Sequence, residues 1–332
     1  MSEFFRGKGA FFTMNSNALH SQNIIQLHTF SDLELRKEFR TLLSKKQLKT
    51  VFQPIISLTD GSTLGFEGLT RGPIQSRFHS PLQLFKYAEE YGSLYTLEKI
   101  ARELAFENSS TILRNDEKLF INLSPQVIYD PNFTPGHTIS LLHQYKLSPH
   151  NIVFEITERS AIEDFSAFTK VLYHYRDQGF QIAVDDAGAG YSSLQAISEI
   201  QPDYIKVDRS LISKVHENNV KKHILDAFVT FAQKMDSIII AEGIEMEEEL
   251  EAVVQLGIDC GQGYYIARPG FPVSNIDESI IKKITNSYLQ LNGKEEHKPF
   301  IVQLDDEIVI MDNDQIIKKV AVNQLLQLFK GK

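Results

Sequence analysis

Eight short apolar runs recur along this chain, most of them followed by a stretch with helical spacing. That alternation limits the possible folds more than any other feature of the sequence. The runs are Val51–Ile56, Gly65–Leu69, Leu119–Leu123, Ile152–Ile156, Gln181–Val184, Tyr204–Val207, Ser237–Ala241 and Gly263–Ile266. Between them, Phe165, Phe168, Val171, Leu172 and Tyr175 fall on one helical face, with Gly179 as the stop. Val220, Ile224, Leu225 and Phe228 form another such face, and Leu250, Val253, Val254 and Leu256, ahead of Gly257, a third. Strands alternating with helices build parallel sheets, because a parallel neighbour needs a crossover connection. The first two runs differ, since Thr59-Asp60-Gly61 between them is a hairpin signal and makes that pair antiparallel. The expected fold is therefore α/β, a TIM-like (β/α)8 barrel with an antiparallel first strand pair. A doubly wound open sheet is the runner-up, but no GxGxxG follows the first strand.

The flanks divide the chain into three parts. Residues 1–30 show no sustained periodicity and read as an N-terminal extension without regular order. Order is expected from Ser31, where Ser31 and Glu34 make a capping-box pattern ahead of Leu35, Phe39, Leu42 and Leu43. Residues 81–108 read as helical, and the barrel is expected to occupy 31–275. Residues 276–332 form a small α+β extension: a helix carrying Ile276, Ile280, Ile284, Tyr288 and Leu291, strands at Phe300–Leu304 and Glu307–Met311, and a helix at Val322–Leu328.

Composition removes several classes of function. A net charge of −9 argues against a nucleic-acid polymer or an anionic membrane as partner, though not against a small anionic substrate. No apolar run approaches the twenty or so residues of a membrane-spanning helix. The single cysteine, Cys260, cannot form an intramolecular disulfide, which favours a reducing, cytoplasmic setting. The histidines show no HExxH or Cys/His zinc spacing.

Barrel enzymes carry their chemistry at the C-terminal ends of the strands. Here those ends present Glu67, Asn122, Glu155, Asp185 with Asp186, Lys206, Glu242 and Gln262. A lone glutamate after a strand is ordinarily a solvated loop residue, and adjacent aspartates can simply start a turn. Converging in one barrel mouth, however, Glu67, Glu155, Asp185, Asp186 and the Asn122 amide make an all-oxygen set. Such a set suits Mg2+ or Mn2+ rather than zinc. Five ligands exceed what one magnesium usually takes from protein, so two ions sharing a carboxylate are expected, a geometry typical of phosphoryl chemistry. Lys206 and Arg71 supply positive charge for an anionic substrate.

These residues lie in blocks that resemble the EAL-domain family of cyclic di-GMP phosphodiesterases. The signature triplet stands as Glu67-Gly68-Leu69, within EGLTR ending at Arg71. Around it run FQPI (Phe52–Ile55), NLSP (Asn122–Pro125), EITE (Glu155–Glu158), DDAGAGYSSL (Asp185–Leu194), IKVD (Ile205–Asp208), AEGIE (Ala241–Glu245) and GQGYYIARP (Gly261–Pro269), in the family's order. The resemblance implies that Glu67, Asn122, Glu155 and Asp185 hold a first metal, with Asp185 bridging to a second that Asp186 also binds. Glu242 would act near the second ion through water, and Lys206 would contact the attacking water. Gln262 and Glu245 match further active-site positions. Arg71 matches an arginine gripping a substrate phosphate, and Gln53, Leu69, Asp208 and Pro269 match positions lining the substrate groove. Glu158 is similar to a glutamate that steadies the loop after the aspartate pair.

The implied reaction is hydrolysis of one phosphodiester bond of cyclic di-GMP to linear pGpG, with two Mg2+ or Mn2+ ions, in a homodimer. The sequence shows no nucleophile motif that would suggest a covalent intermediate. A receptor that binds cyclic di-GMP without cleaving it is the alternative. Inactive relatives usually lose a metal ligand, and none is missing here. Three positions depart from the common pattern: Gly68 for the middle Ala of the triplet, Ala187 for Phe and Ala189 for Thr. The last two sit in the loop that couples dimerisation to metal binding in the family.

Overall fold

A computed structural model describes residues 32–114, 116–157, 165–190, 193–292, 300–304, 307–312 and 315–321. The expected N-terminal extension, the capping Ser31, Glu158 and the helix at Val322–Leu328 lie outside the described residues.

Eight strands close into one barrel in sequence order: β1 (Lys49–Ser57), β2 (Thr63–Arg71), β3 (Lys118–Asn122), β4 (Ile152–Thr157), β5 (Gln181–Ala187), β6 (Tyr204–Val207), β7 (Ile238–Ala241) and β8 (Cys260–Gly261). β2 through β8 run parallel, and β1 closes the ring antiparallel to β8, with Ile56 opposite Gly261. β1 and β2 form the expected antiparallel hairpin. Gly61 takes φ +74, and Asp60 Oδ1 accepts hydrogen bonds from the Ser62 amide at 3.0 Å and the Ser62 hydroxyl at 2.7 Å. The TIM-type barrel with its irregular first pair is thus the observed fold.

Two element placements differ from the sequence reading. The last strand is Cys260–Gly261, not Gly263–Ile266, which is a turn closed by the Ala267 amide on the Gly263 carbonyl at 3.0 Å. An apolar run there mimics a strand, but the Ile244 backbone crosses so close that a Cβ on Gly263 would lie 2.1 Å from its carbonyl oxygen. The expected single helical region 81–108 is two helices, Pro81–Glu90 and Leu94–Ser109, separated at Gly92 with φ +62. Short helices at His137–Tyr145, Ser193–Ile200 and Arg209–Ile212 carry too little periodic signal to be read from sequence.

The chain forms two compact units. Among the described residues, one comprises 32–50 and 70–107 and packs Phe39, Leu42, Leu48, Phe78, Leu84, Ala88, Leu97 and Ile100 together. The other, 51–69 and 108 onward, holds the barrel interior: Ile55, Phe120, Val153, Ala183, Tyr204, Ile240 and Cys260. Side chains as large as Phe120 and Tyr204, nearly inaccessible here, contribute about 2–3 kcal/mol each by burial. After the barrel, helix Glu278–Asn292 packs on helix Glu247–Gln255. A three-stranded antiparallel sheet follows: β9 (Phe300–Leu304), β10 (Glu307–Asp312) and β11 (Gln315–Ala321). Its first two strands match the expected hairpin, and β11 adds a third that the sequence reading lacked.

Candidate active site

The pleat of the barrel strands builds the site. Successive side chains on a strand point to opposite faces, so residues two apart share the interior. Two positions beyond the apolar residues Phe120, Val153, Ala183, Tyr204, Ile240 and Cys260 stand Asn122, Glu155, Asp185, Lys206, Glu242 and Gln262. On antiparallel β1 the same step from Ile55 runs backwards and reaches Gln53. On β2 it runs from Gly65 to Glu67, and Gly65 has no side chain because a Cβ there would meet the Lys118 carbonyl oxygen at 2.1 Å. One apolar layer therefore supports one polar layer at the C-terminal mouth of the barrel.

Lys206 is the electrostatic centre of that layer. It is 1% exposed, and its Nζ lies 2.5 Å from Glu155 Oε1, 2.7 Å from Glu242 Oε1, 3.2 Å from Asp185 Oδ1 and 3.7 Å from Glu67 Oε2. Burial alone would push the ammonium towards neutrality. The summed attraction of Asp185, Glu155, Glu242 and Glu67 overrides it and holds Lys206 well above the ordinary lysine range. Burial raises Glu155 and Glu242 well above ordinary carboxylates, despite the opposing pull of Lys206. The amides complete the layer. Gln262 Nε2 donates to Glu67 Oε2 at 2.5 Å and to Gln53 Oε1 at 3.0 Å, while Gln53 Nε2 donates to the Ala267 carbonyl at 3.0 Å. Asn122 Nδ2 donates to Glu155 Oε2 at 3.2 Å.

Asp185 and Asp186 are neighbours in sequence yet both contribute to the mouth. A regular strand would send them to opposite faces. Asp186 instead adopts φ +57, within a register shift of β5 between Val184 and Ala187, and this bend breaks the alternation. A non-glycine residue in that region carries strain, which aspartate tolerates better than most. Burial, followed by the charges of Asp185 and Asp208, raises Asp186 to about 6. Asp185, Asp186 and Glu242 bring ligand oxygens within 4.8 Å of one another.

The residues present fit divalent metal ions. Five carboxylates face one lysine, and the donors are all oxygen, as hard cations require. Glu155 Oε1 and Asp185 Oδ1 are buried against the Lys206 ammonium at 2.5 Å and 3.2 Å, and that single cation is shared with Glu242 and Glu67. Such a surplus of buried carboxylate over ammonium is costly unless further cations meet it.

Above the layer opens a cavity of about 360 Å3. Of the residues singled out from sequence, Gln53, Glu67, Leu69, Asp185, Asp186, Asp208, Glu242, Glu245 and Gln262 line it. Asn122, Glu155 and Lys206 belong to the polar layer without lining the cavity. Arg71 ends β2 in the other compact unit, donating from Nη1 to the Thr70 carbonyl at 2.9 Å, and Pro269 is half-buried; neither lines the cavity. Arg209, Gly243, Gly263 and Tyr264 also line it and were not singled out. Arg209 pairs with Glu245 and lies across Gly243, where a Cβ would meet the Arg209 Cγ at 2.6 Å. Its position directly after Asp208 was the only available signal. Ala187 is fully buried, and over the next residue, Gly188, the Leu211 side chain fills the space a Cβ would need, 2.4 Å from its Cδ1.

Comparison with known proteins gives a consistent result. The family description "EAL domain" matches residues 36–269. The probable cyclic di-GMP phosphodiesterase PdeB of Escherichia coli K12 is 30% identical over 220 residues, covering 65% of this chain and 42% of that protein. The chain thus spans about two fifths of that curated relative. Among solved structures, Klebsiella pneumoniae BlrP1, in complexes with cyclic di-GMP and calcium or manganese, shares 30% identity at a TM-score of 0.62, covering 68% of this chain and 56% of that one. A standalone EAL protein from Vibrio cholerae O395, bound to cyclic di-GMP, shares 28% identity at a TM-score of 0.62, covering 70% of this chain and 97% of that one. With the barrel closed in order and the family's pattern matched over most of its length, this chain belongs to the EAL domain family.

Proposed function

We propose that this chain is a cyclic di-GMP phosphodiesterase that hydrolyses one phosphodiester bond to give linear pGpG, with two Mg2+ or Mn2+ ions. The observation that carries the reading is the polar layer itself, four carboxylates converging on one buried ammonium with Asp186 beside them at an open cavity. Two divalent ions would neutralise the four charges that Lys206 leaves unmatched. Glu67, Asn122, Glu155 and Asp185 would hold the first ion; Asp185 and Asp186 would hold the second, with Glu242 beside it. When bound, such ions lower the pKa of water and neutralise the phosphoryl oxygens.

The chain's own residues do the rest. Lys206, held by four carboxylates and kept cationic, is assigned to contact the attacking water. Gln262 holds Glu67 and Gln53 together through its amide, which keeps the first ligand's oxygen aimed inward. Glu245, Gln53, Leu69 and Asp208, which line the cavity, and Pro269, which does not, are assigned to the groove that takes the dinucleotide, and Arg71 is assigned to a substrate phosphate through its forked donors. Glu158 is assigned to steadying the loop beyond Asp186. Water adds to phosphorus, one ester P–O bond breaks, and the departing oxygen leaves as a ribose hydroxyl. A homodimer and a cytoplasmic setting belong to the same proposal; among the described residues no helix is long and apolar enough to cross a membrane.

Purified chain with Mg2+ or Mn2+ should convert cyclic di-GMP to pGpG, read by chromatography of the products, and Glu67→Ala should abolish conversion. Saturable binding without product in either metal would refute hydrolysis and leave the receptor function.

A further inference from the structure

Glu249 does not line the cavity, yet two of the loops that do are tied to its carboxylate. It is 2% exposed, in the first turn of helix Glu247–Gln255. Its Oε2 accepts the Met246 amide at 3.2 Å, the ordinary capping-box contact, and the Glu245 amide at 2.9 Å. Its Oε1 reaches a different segment and accepts the Lys214 amide at 2.9 Å. Lys214 takes φ +55, a turn that directs its N–H back towards the helix.

The two segments are neighbours on the rim, following the paired strands β6 and β7. After β6, Asp208 caps the short helix Arg209–Ile212, and the chain then reaches Lys214. After β7 come Glu242, Gly243 and Glu245. Asp208 and Arg209 line the cavity from the first segment, and the other three from the second. A second link joins them at the surface, where Arg209 pairs with Glu245. That pair is half exposed and solvent-screened, whereas the Glu249 contacts are part-buried, made by a carboxylate that is itself shielded, and charge-assisted, and therefore the stronger restraint.

We propose that Glu249 is a positioning residue for the site, a strut whose carboxylate sets where Glu242 and Glu245 stand relative to Asp185, Asp186 and Arg209. The proposal rests on the metal-dependent hydrolase reading and adds to it a residue outside the cavity. Removing the strut loosens the turn at Glu245 and Met246 just beyond Glu242, which is otherwise held by its amide on the Val207 carbonyl at 3.1 Å, while the oxygens of Glu67, Asn122 and Glu155 on β2, β3 and β4 are untouched. One ion should therefore be lost in preference to the other.

The test uses the full chain, with Mn2+ binding followed by electron paramagnetic resonance of the free ion, and kcat and KM measured separately on cyclic di-GMP. Glu249→Ala should weaken one of two Mn2+ sites by about tenfold or more, within the 10–100-fold common when a group that orients a ligand is removed. The other site should be unchanged, and kcat should fall by a similar factor with a smaller rise in KM. Glu249→Gln, which keeps one accepting oxygen, should recover part of both losses. Glu117→Ala is the control for instability alone. Glu117 is also buried and also accepts a backbone amide, that of Arg114 at 2.8 Å, but it sits at the opposite end of the barrel before β3. A wild-type Mn2+ isotherm and kcat in Glu249→Ala would overturn the proposal, as would equal losses in Glu117→Ala. Wild-type protein that binds two Mn2+ ions but hydrolyses nothing would refute the functional reading alone, with the strut then judged on the isotherm. Wild-type protein that binds no Mn2+ would overturn both.

Discussion

Replacing Lys206 by methionine is the sharpest test of how the polar layer is held. Methionine keeps most of the side-chain volume and removes the charge. The four carboxylate oxygens lie 2.5–3.7 Å from Nζ. At an effective dielectric of ~20, each such contact has a gross attraction of about 5 kcal/mol. Most of that is offset by desolvation of the ammonium and by repulsion among the carboxylates themselves. What remains measurable is the cost of leaving buried charge without its partner, about 3–5 kcal/mol. For a domain of this size that corresponds to a fall in Tm of about 6–20 °C. Proton uptake by Glu155 and Glu242, already raised by burial, caps the loss at the low end of the range. The raised pKa of Lys206 gives the sign of the pH dependence. Its stabilisation is fully present below the unfolded-chain value of ~10.4 and is lost only as pH rises through its higher folded value, so it is constant across neutral pH. The assay is urea unfolding in EDTA at pH 7, repeated with excess Mn2+. Lys206→Met should unfold earlier in EDTA and recover more than the wild type on adding metal, because an ion then meets the same oxygens. An unchanged midpoint in EDTA would refute the account of the layer.

Three further outcomes follow from local geometry. Gly65→Ala should destabilise the barrel by about 3 kcal/mol or more in chemical denaturation, since its Cβ would stand 2.1 Å from the Lys118 carbonyl oxygen and force β2 from β3. Cys260 is buried, and burial pushes its thiol to about 12, so a thiol reagent at pH 8 should label native protein about a thousandfold more slowly than urea-unfolded protein. Asp60 lies below the ordinary carboxylate range because it accepts hydrogen bonds from the Ser62 hydroxyl and amide and from the Ser57 hydroxyl. Its stabilisation is present above the unfolded carboxylate pKa and disappears as pH falls through the lower folded value. The gap in urea midpoint between wild type and Asp60→Ala should therefore be open at pH 7 and close under acid conditions below that value.

The sequence by itself determined what depends on neighbours along the chain. Alternating apolar runs marked seven of the eight barrel strands, Asp60-Gly61 marked the hairpin, and glycines 179 and 257 marked helix ends with positive φ. The identity of the polar residue two steps beyond each buried one was also legible, because the strand pleat has a period of two. Contacts between segments distant in sequence were not. The Gly263–Ile266 run has strand-like composition, and only the Ile244 backbone lying against Gly263 makes it a turn. Asp186 looks like any aspartate until the shift in β5 turns it to the side of Asp185. Glu249 reads as an ordinary capping glutamate, and nothing local announces that Lys214, thirty-five residues earlier, donates to it. Local pattern can choose an element and the face it presents. The close approaches that bend β5, end β8 and tie the rim together arise only when the ring closes, and closure is a property of the tertiary structure.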